Sequence, residues 1–261
     1  MNKKVLPLLL ACLIFTLPSF AQKSSYFAAG GEMIFSYGDV STDTTDSKAV
    51  VRWSPVFNFN TQLHFNFSKS VGIYTGLGLR NVGLITHLTT NFNNAGTIVQ
   101  EEVTVKERSY SLGLPLALKL GNMEQNTYLA VGAEAELMFA YKRKIIQGDG
   151  KQKLDGWFND NVNIFNPSAF AEMHFHGGAY VRFKYYLDDF LNYQGINLVD
   201  ENLNQSYVAD YGPDSPLFYV SIGIITSTKQ LEQDVTKPTD KSAYFKQSKK
   251  ERKNLDSASS Y

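Results

Sequence analysis

Thiols are all but missing from this chain. The one cysteine, Cys12, lies within the first 21 residues, so the remainder has no disulfide, no cysteine–metal site and no cysteine nucleophile. Long apolar runs are missing as well. Residues 5–17 form one, but it is shorter than the roughly 20 residues that a spanning helix needs, and no later run approaches that length. Net charge is absent, because 25 Lys and Arg balance 25 Asp and Glu. That leaves no basic field for nucleic acid, and no recognition motif for it is present. A phosphate loop is lacking too, since Gly76-Leu77-Gly78 has no helix to follow it.

The N-terminus reads as a secretory signal over residues 1–21. Lys3 and Lys4 form its basic start, Val5–Leu17 its apolar core, and Ser19-Phe20-Ala21 a small-x-small cleavage site before Gln22. Leu9-Leu10-Ala11-Cys12 has the outline of a lipoprotein processing site. The apolar run continues well past Cys12, which favours ordinary cleavage. Export without a helical anchor leaves secreted, periplasmic or outer-membrane fates.

What the chain has in quantity is alternation. Across Val51–Phe67 one face carries Val51, Trp53, Pro55, Phe57, Phe59, Thr61, Leu63, Phe65 and Phe67. The other carries Arg52, Ser54, Val56, Asn58, Asn60, Gln62, His64 and Asn66. A period of two over such a run sets one face on hydrocarbon and the other on a polar interior. Seven further segments read the same way: Tyr26–Tyr37, Val71–Leu84, Val103–Leu120, Thr127–Arg143, Pro167–Phe175, Ala179–Leu187 and Leu217–Thr226. The fifth in chain order, Thr127–Arg143, sets Leu137, Phe139 and Tyr141 outward against Glu134, Glu136 and Lys142. Mean hydropathy is only −0.23, as expected where lipid-facing and lumen-facing residues cancel. The 13 % aromatic content suits interfacial girdles.

The connections strictly alternate in length. Ser68-Lys69-Ser70, Gly121–Asn126 and His176-Gly177-Gly178 are short. Gly38–Val50, Ile85–Glu102, Lys144–Asn166 and Asp188–Pro216 are long and polar, and read as loops. Short periplasmic turns and long outer loops mark outer-membrane barrels. The expected fold is all-β: a transmembrane antiparallel up-and-down β-barrel of about eight strands over residues 22–227. Residues 228–261 read as a disordered or weakly helical polar tail on the periplasmic side, with a basic cluster at Lys246–Lys253.

Eight strands enclose an interior that side chains just fill. The charges expected there are Glu32, Arg52, Arg80, Lys119, Glu134, Glu136, Glu172, Arg182 and Lys184. In a narrow lumen these should pair into a near-neutral plug, with Glu134 and Glu136 meeting Arg52, Arg80 or Arg182. Glu172, His174 and His176 share a face at i, i+2 and i+4, a spacing that zinc or an acid/base site could use. They also read as plain lumen lining. We expect no catalytic residues, no metal and no cofactor.

Tyr110-Ser111-Leu112-Gly113-Leu114-Pro115-Leu116-Ala117-Leu118-Lys119-Leu120 resembles the Y-x-x-x-P-L-x-L-K strand of the porin-like or PorT-like outer-membrane β-barrel family of Bacteroidota. The Ala21-Gln22 junction is similar to that group as well. The resemblance implies an outer-membrane barrel over residues 22–227 and no single activity, although the PorT branch is associated with protein secretion. The expected function is a non-enzymatic barrel in outer-membrane lipid, acting as a structural or interaction platform through its long outer loops. The tail is placed to meet a periplasmic protein. The alternatives are a narrow channel or secretion component, and a lipid-modifying enzyme centred on His174 or His176.

Overall fold

The structure is a computed structural model, and it describes residues 24–40, 46–94, 97–193, 195–200, 205–209, 211 and 214–228. The signal at 1–21 and nearly all of the tail at 228–261 lie outside the described residues.

The described residues form thirteen strands: β1 Ser24–Gly38, β2 Asp46–Val50, β3 Arg52–Ser54, β4 Phe59–Asn66, β5 Val71–Asn94, β6 Thr97–Asn122, β7 Thr127–Gln147, β8 Gly150–Trp157, β9 Phe165–His174, β10 Ala179–Tyr186, β11 Ile196–Asp200, β12 Gln205–Ala209 and β13 Leu217–Ser227. Eight of them close a ring, in the order β1, β4, β5, β6, β7, β9, β10, β13 and back to β1, every pairing antiparallel. β2 and β3 extend the wall beside β5 and β1, β8 pairs with β7, and β11–β12 form a separate hairpin.

The ring exposes apolar side chains outward. On β6 these are Leu112, Leu114, Leu116, Leu118 and Leu120; β13 adds Val220, Ile222 and Ile224, and β10 Val181 and Phe183. Nine residues from Leu112 to Leu120 match the ~9–11 that a tilted strand needs to cross a bilayer. Closure leaves no open edge in that zone, as hydrocarbon requires. The fold is a transmembrane β-barrel.

Local chemistry makes the short turns. Ser68 Oγ accepts from the amides of Ser70 and Val71 at 3.1 and 3.0 Å. Asn122 Oδ1 does the same for Glu124 and Gln125, both at 3.0 Å. Gly177 and Gly178 both take φ of 91°, which a side chain would resist.

Three expectations need correction. The run Val51–Phe67 is two pieces, β3 and β4, separated at Pro55–Asn58. Pro55 offers no N–H to a ladder, and Phe57 has φ of 63°. Val56, expected inward, is exposed there. Secondly, Ile85–Glu102 and Lys144–Asn166 are not simply loops. β5 and β6 stay paired out to Asn94 and Thr97, and β7 continues into a hairpin with β8. Thirdly, the ladder skips Phe139: Tyr110 faces Ala140 while Ser111 faces Met138. That bulge switches the faces of β7 above it, so Tyr141 points inward and Lys142 outward.

Beyond the belt β5 and β6 keep their inward positions but exchange their chemistry. Val82, Leu84 and Leu88 of β5 and Val103 and Val105 of β6 are fully buried, whereas Lys106 and Arg108 lie outward. The long-loop end is thus built as in a water-soluble protein, with an apolar core. Phe190, Leu191, Ile196, Leu198 and Tyr211 close that core from above.

Candidate functional site

The lumen is filled in three layers. At the middle level a single chain of ion pairs and hydrogen bonds crosses the barrel. Its members come from β1, β5, β7, β9, β10 and β13, because each strand presents alternate residues inward. Arg182 Nε donates to Glu172 Oε1 at 2.5 Å, and its Nη1 donates to Glu32 Oε1 at 2.9 Å. Arg80 Nε donates to the same Glu32 oxygen at 3.0 Å, while its Nη1 pairs with Glu134. Lys184 bonds Glu134 Oε2 at 2.7 Å and also pairs with Glu136. Ser221 Oγ donates to Glu32 Oε2 at 2.5 Å and Tyr186 OH to Glu136 Oε2 at 2.9 Å. His174 Nε2 meets Glu172 Oε2 at 2.8 Å. All seven charged members are buried.

Bare charges at this depth would be costly, and each of these has at least one opposite charge beside it, although Arg80 Nη2 is buried without a hydrogen-bond partner. Gly78 and Gly113 make the room. A Cβ on Gly78 would enter the Arg80 guanidinium, and one on Gly113 would strike the Glu134 carboxylate. Arg182 also lies 5.5 Å from the Phe170 ring centre and 5.6 Å from that of Tyr180.

The layer nearer the short turns is aromatic. His174 stacks between Tyr128 and Tyr180, with centroids 4.4 and 5.1 Å away, and His64 stacks on Tyr26 at 4.5 Å. Lys119 Nζ donates to Asn66 Oδ1 at 2.7 Å and sits over the rings of Tyr26 and Tyr128.

Of the nine charges that the sequence assigns to the lumen, the structure brings seven together. Lys119 it places a layer lower, as just described. Arg52 leaves the lumen. Where β3 breaks from β4 the backbone of β5 is open, and Arg52 bonds Asn81 there, at 3.0 Å to the carbonyl and 2.7 Å to Oδ1. Glu134 and Glu136 therefore take Arg80 and Lys184 as partners, and neither Arg52 nor Arg182. Glu172 and His174 are adjacent, but His176 is exposed on the turn and bonds Gln125 O at 3.1 Å. The three do not converge on one point. Among the described residues no cluster of three or more metal-ligating side chains occurs.

The third layer, above the belt, was not anticipated. Its polar centre is Glu107, buried beneath the long-loop end. It accepts from Tyr141 OH at 2.6 Å, Tyr193 OH at 2.5 Å and Tyr211 OH at 3.0 Å. Tyr193 and Tyr211 lie in the last long connection, so this carboxylate ties it down. Glu107 stands outside the bilayer-crossing part of β6. Burial pushes its carboxyl above the ordinary carboxylate range, against the lowering pull of the hydroxyls and Arg143. The folded chain then keeps a proton that the unfolded chain releases. Stability is greatest in acid and falls as pH rises through the interval between the ordinary and the raised value. The urea midpoint of the wild type should decline across that interval, and that of Glu107→Gln should stay level.

Comparison with known proteins adds little. No protein-family model matches the chain. No curated protein matches it either. Among solved structures, the attachment invasion locus protein Ail of Yersinia pestis is 10 % identical, with 77 % of this chain and 97 % of that one covered, at a TM-score of 0.34. OprG of Pseudomonas aeruginosa is 9 % identical over 78 % and 97 %, at 0.35. The toluene transporter TbuX of Ralstonia pickettii is 7 % identical over 78 % and 88 %, at 0.30. At these TM-scores nothing about binding or activity passes from those proteins to this chain.

Proposed function

We propose that the chain is an outer-membrane barrel that neither conducts nor catalyses, and that serves as a rigid platform for contacts at its long-loop end. The observation that carries this reading is the blocked lumen. The ion-pair chain fills the bilayer level and an apolar core fills the level above. A hydrated ion entering from the long-loop end would meet buried Leu88, Val103 and Val105 before it reached Glu107, itself capped by three tyrosine hydroxyls. The platform itself is supported by the β5–β6 and β7–β8 extensions, which carry paired strands and a core beyond the bilayer. Outer-membrane placement draws on the signal-like N-terminus and on the resemblance to the Bacteroidota barrel family. The absence of catalysis draws on the placement of His174, enclosed by aromatic rings with no face on lipid.

Planar-bilayer recording of the refolded barrel tests this. We expect no conductance steps above background. Regular steps of uniform amplitude would overturn the sealed-lumen reading and favour the channel alternative.

A further inference from the structure

A continuous aromatic row marks the upper edge of the belt. Tyr110 meets Phe57 edge-on at 6.3 Å, Phe139 stacks on Tyr110 at 6.4 Å, and Trp157 stacks on Phe139 at 5.7 Å. Such rings sit at the boundary between hydrocarbon and headgroups.

Immediately above that row the outer wall becomes basic. In register across β6 and β7, Lys106 faces Lys144 and Arg108 faces Lys142. Directly opposed residues of a ladder share a face with Cβ atoms only ~5 Å apart, so each couple is a like-charge contact that weakens the sheet. Lys153 of β8 stands opposite Lys144 and lengthens that row. Asp155 stands opposite Lys142, yet no ion pair forms between them. Glu102, further up β6, turns to His87 at 3.3 Å. Among the described residues, then, Lys106, Arg108, Lys142 and Lys144 have no carboxylate partner. Together with Arg52, Ile85 and Glu107, whose carboxylate is turned inward to Tyr141, Tyr193 and Tyr211, they line a cleft of about 250 Å³.

Height identifies the occupant. Arg108 lies two residues beyond Tyr110, about 7 Å along the strand at ~3.4 Å per residue. The headgroup layer of a bilayer is only about 5–8 Å deep on each side of the hydrocarbon. Arg108 and Lys142 therefore stand at headgroup depth, above leucines whose chemistry suits acyl chains, while Lys106 and Lys144, about 14 Å along the strand, reach inward to the layer from its outer margin. Phosphate at that depth supplies the missing negative charge and relieves both like-charge couples.

We propose that this cleft is a binding site for the phosphorylated headgroup of a membrane lipid in the leaflet at the long-loop end, with its acyl chains laid along Leu112 and Leu114. In an outer membrane that leaflet's lipid is a phosphorylated glycolipid. The inference rests on the outer-membrane reading for which lipid arrives, but the site itself stands on charge and height.

The test uses the full-length barrel in neutral detergent, with bisphosphorylated lipid A as probe and native mass spectrometry as readout. The wild type should retain the lipid. The quadruple variant Lys106→Gln, Arg108→Gln, Lys142→Gln and Lys144→Gln should bind it several hundredfold more weakly, given ~1 kcal/mol for each of four cations near a lipid surface. Lys69→Gln removes a cation that is paired with Glu124 at the opposite end, and it should bind as the wild type does. Replacing the three lysines by arginine should preserve binding and shows that charge decides. Unboiled gel mobility checks that each variant is folded. Equal retention by a folded quadruple variant would overturn the site, as would equal retention of phosphate-free lipid. Displacement of the lipid by equimolar inorganic phosphate would reduce the site to one for free anion. Cell fractionation examines the outer-membrane reading separately. A barrel found elsewhere contradicts that reading and leaves the lipid-binding result to stand or fall alone.

Discussion

Arg182→Met should unfold the barrel at markedly lower urea than the wild type needs, by about 3–5 kcal/mol, the range for removing one partner of a buried charge cluster. Among the described residues Arg182 is the one arginine or lysine on Glu172 and one of two on Glu32. Without it, two carboxylates from different strands face each other in a dry interior. Methionine roughly keeps the volume, so the loss reports charge and not a cavity. A second variant separates the two. Arg182→Met with Glu172→Gln removes an opposite charge and should recover a sizeable part of the loss. The readout is the unboiled, fast-migrating band as a function of urea. If the single variant were as stable as the wild type, the ion-pair chain would be incidental to the fold.

Such a network is a poor source of stability as such, since apolar residues of similar size often do as well. Its structural value lies in register. A strand slipped by one residue reverses every side chain. On β10 that slip would set Arg182 and Lys184 in lipid and Val181 and Phe183 in the lumen. Inward charges on five strands make each such error expensive.

The second large effect concerns the outer face. Leu116 is 62 % exposed at the centre of the β6 leucine row. In a water-soluble protein, arginine there would be harmless. In a barrel crossing a bilayer it should cost about 2–4 kcal/mol at mid-depth. We expect Leu116→Arg to lower the yield of heat-modifiable barrel in liposomes and to shift its urea midpoint downward. Ile85→Arg, beside the basic cleft and above the belt, should change little. Equal behaviour of the two variants would contradict the assigned belt.

The sequence and the structure agree best where period-two alternation is densest. Leu112–Leu120 shows its face directly, because outward leucines alternate with Gly113, Pro115, Ala117 and Lys119. Inward parity likewise picks out Glu32, Arg80, Glu134, Glu136, Glu172, Arg182 and Lys184 from the sequence. The failures have local causes. Parity cannot survive a change of ladder, and both such changes were misread. Pro55 was a visible signal for the break that carries Arg52 out of the lumen. The bulge at Phe139 had none, since Leu137, Phe139 and Tyr141 are all large and apolar and only pairing with β6 tells them apart. The upper core was hidden for a different reason. Above the bilayer the outward residues turn polar, so His87, Lys144 and Lys153 make strands resemble loops. Val82, Leu84 and Leu88, and Val103 and Val105, kept period two throughout and could have revealed it.

The change at Tyr110 from an apolar to a basic outer face is the centre of the account, and depth-dependent quenching of tryptophan fluorescence tests it most directly. Trp53 and Trp157, the chain's two tryptophans, are replaced by phenylalanine, and single tryptophans are placed at Leu116 or Lys106. The barrel is refolded into vesicles whose lipids carry bromine deep in the acyl chain. Leu116→Trp should emit in the blue and be strongly quenched, whereas Lys106→Trp should emit nearer the red and be spared. Red emission from Leu116→Trp, untouched by the brominated lipid, would mean that the leucine row meets water and that this barrel does not cross a membrane.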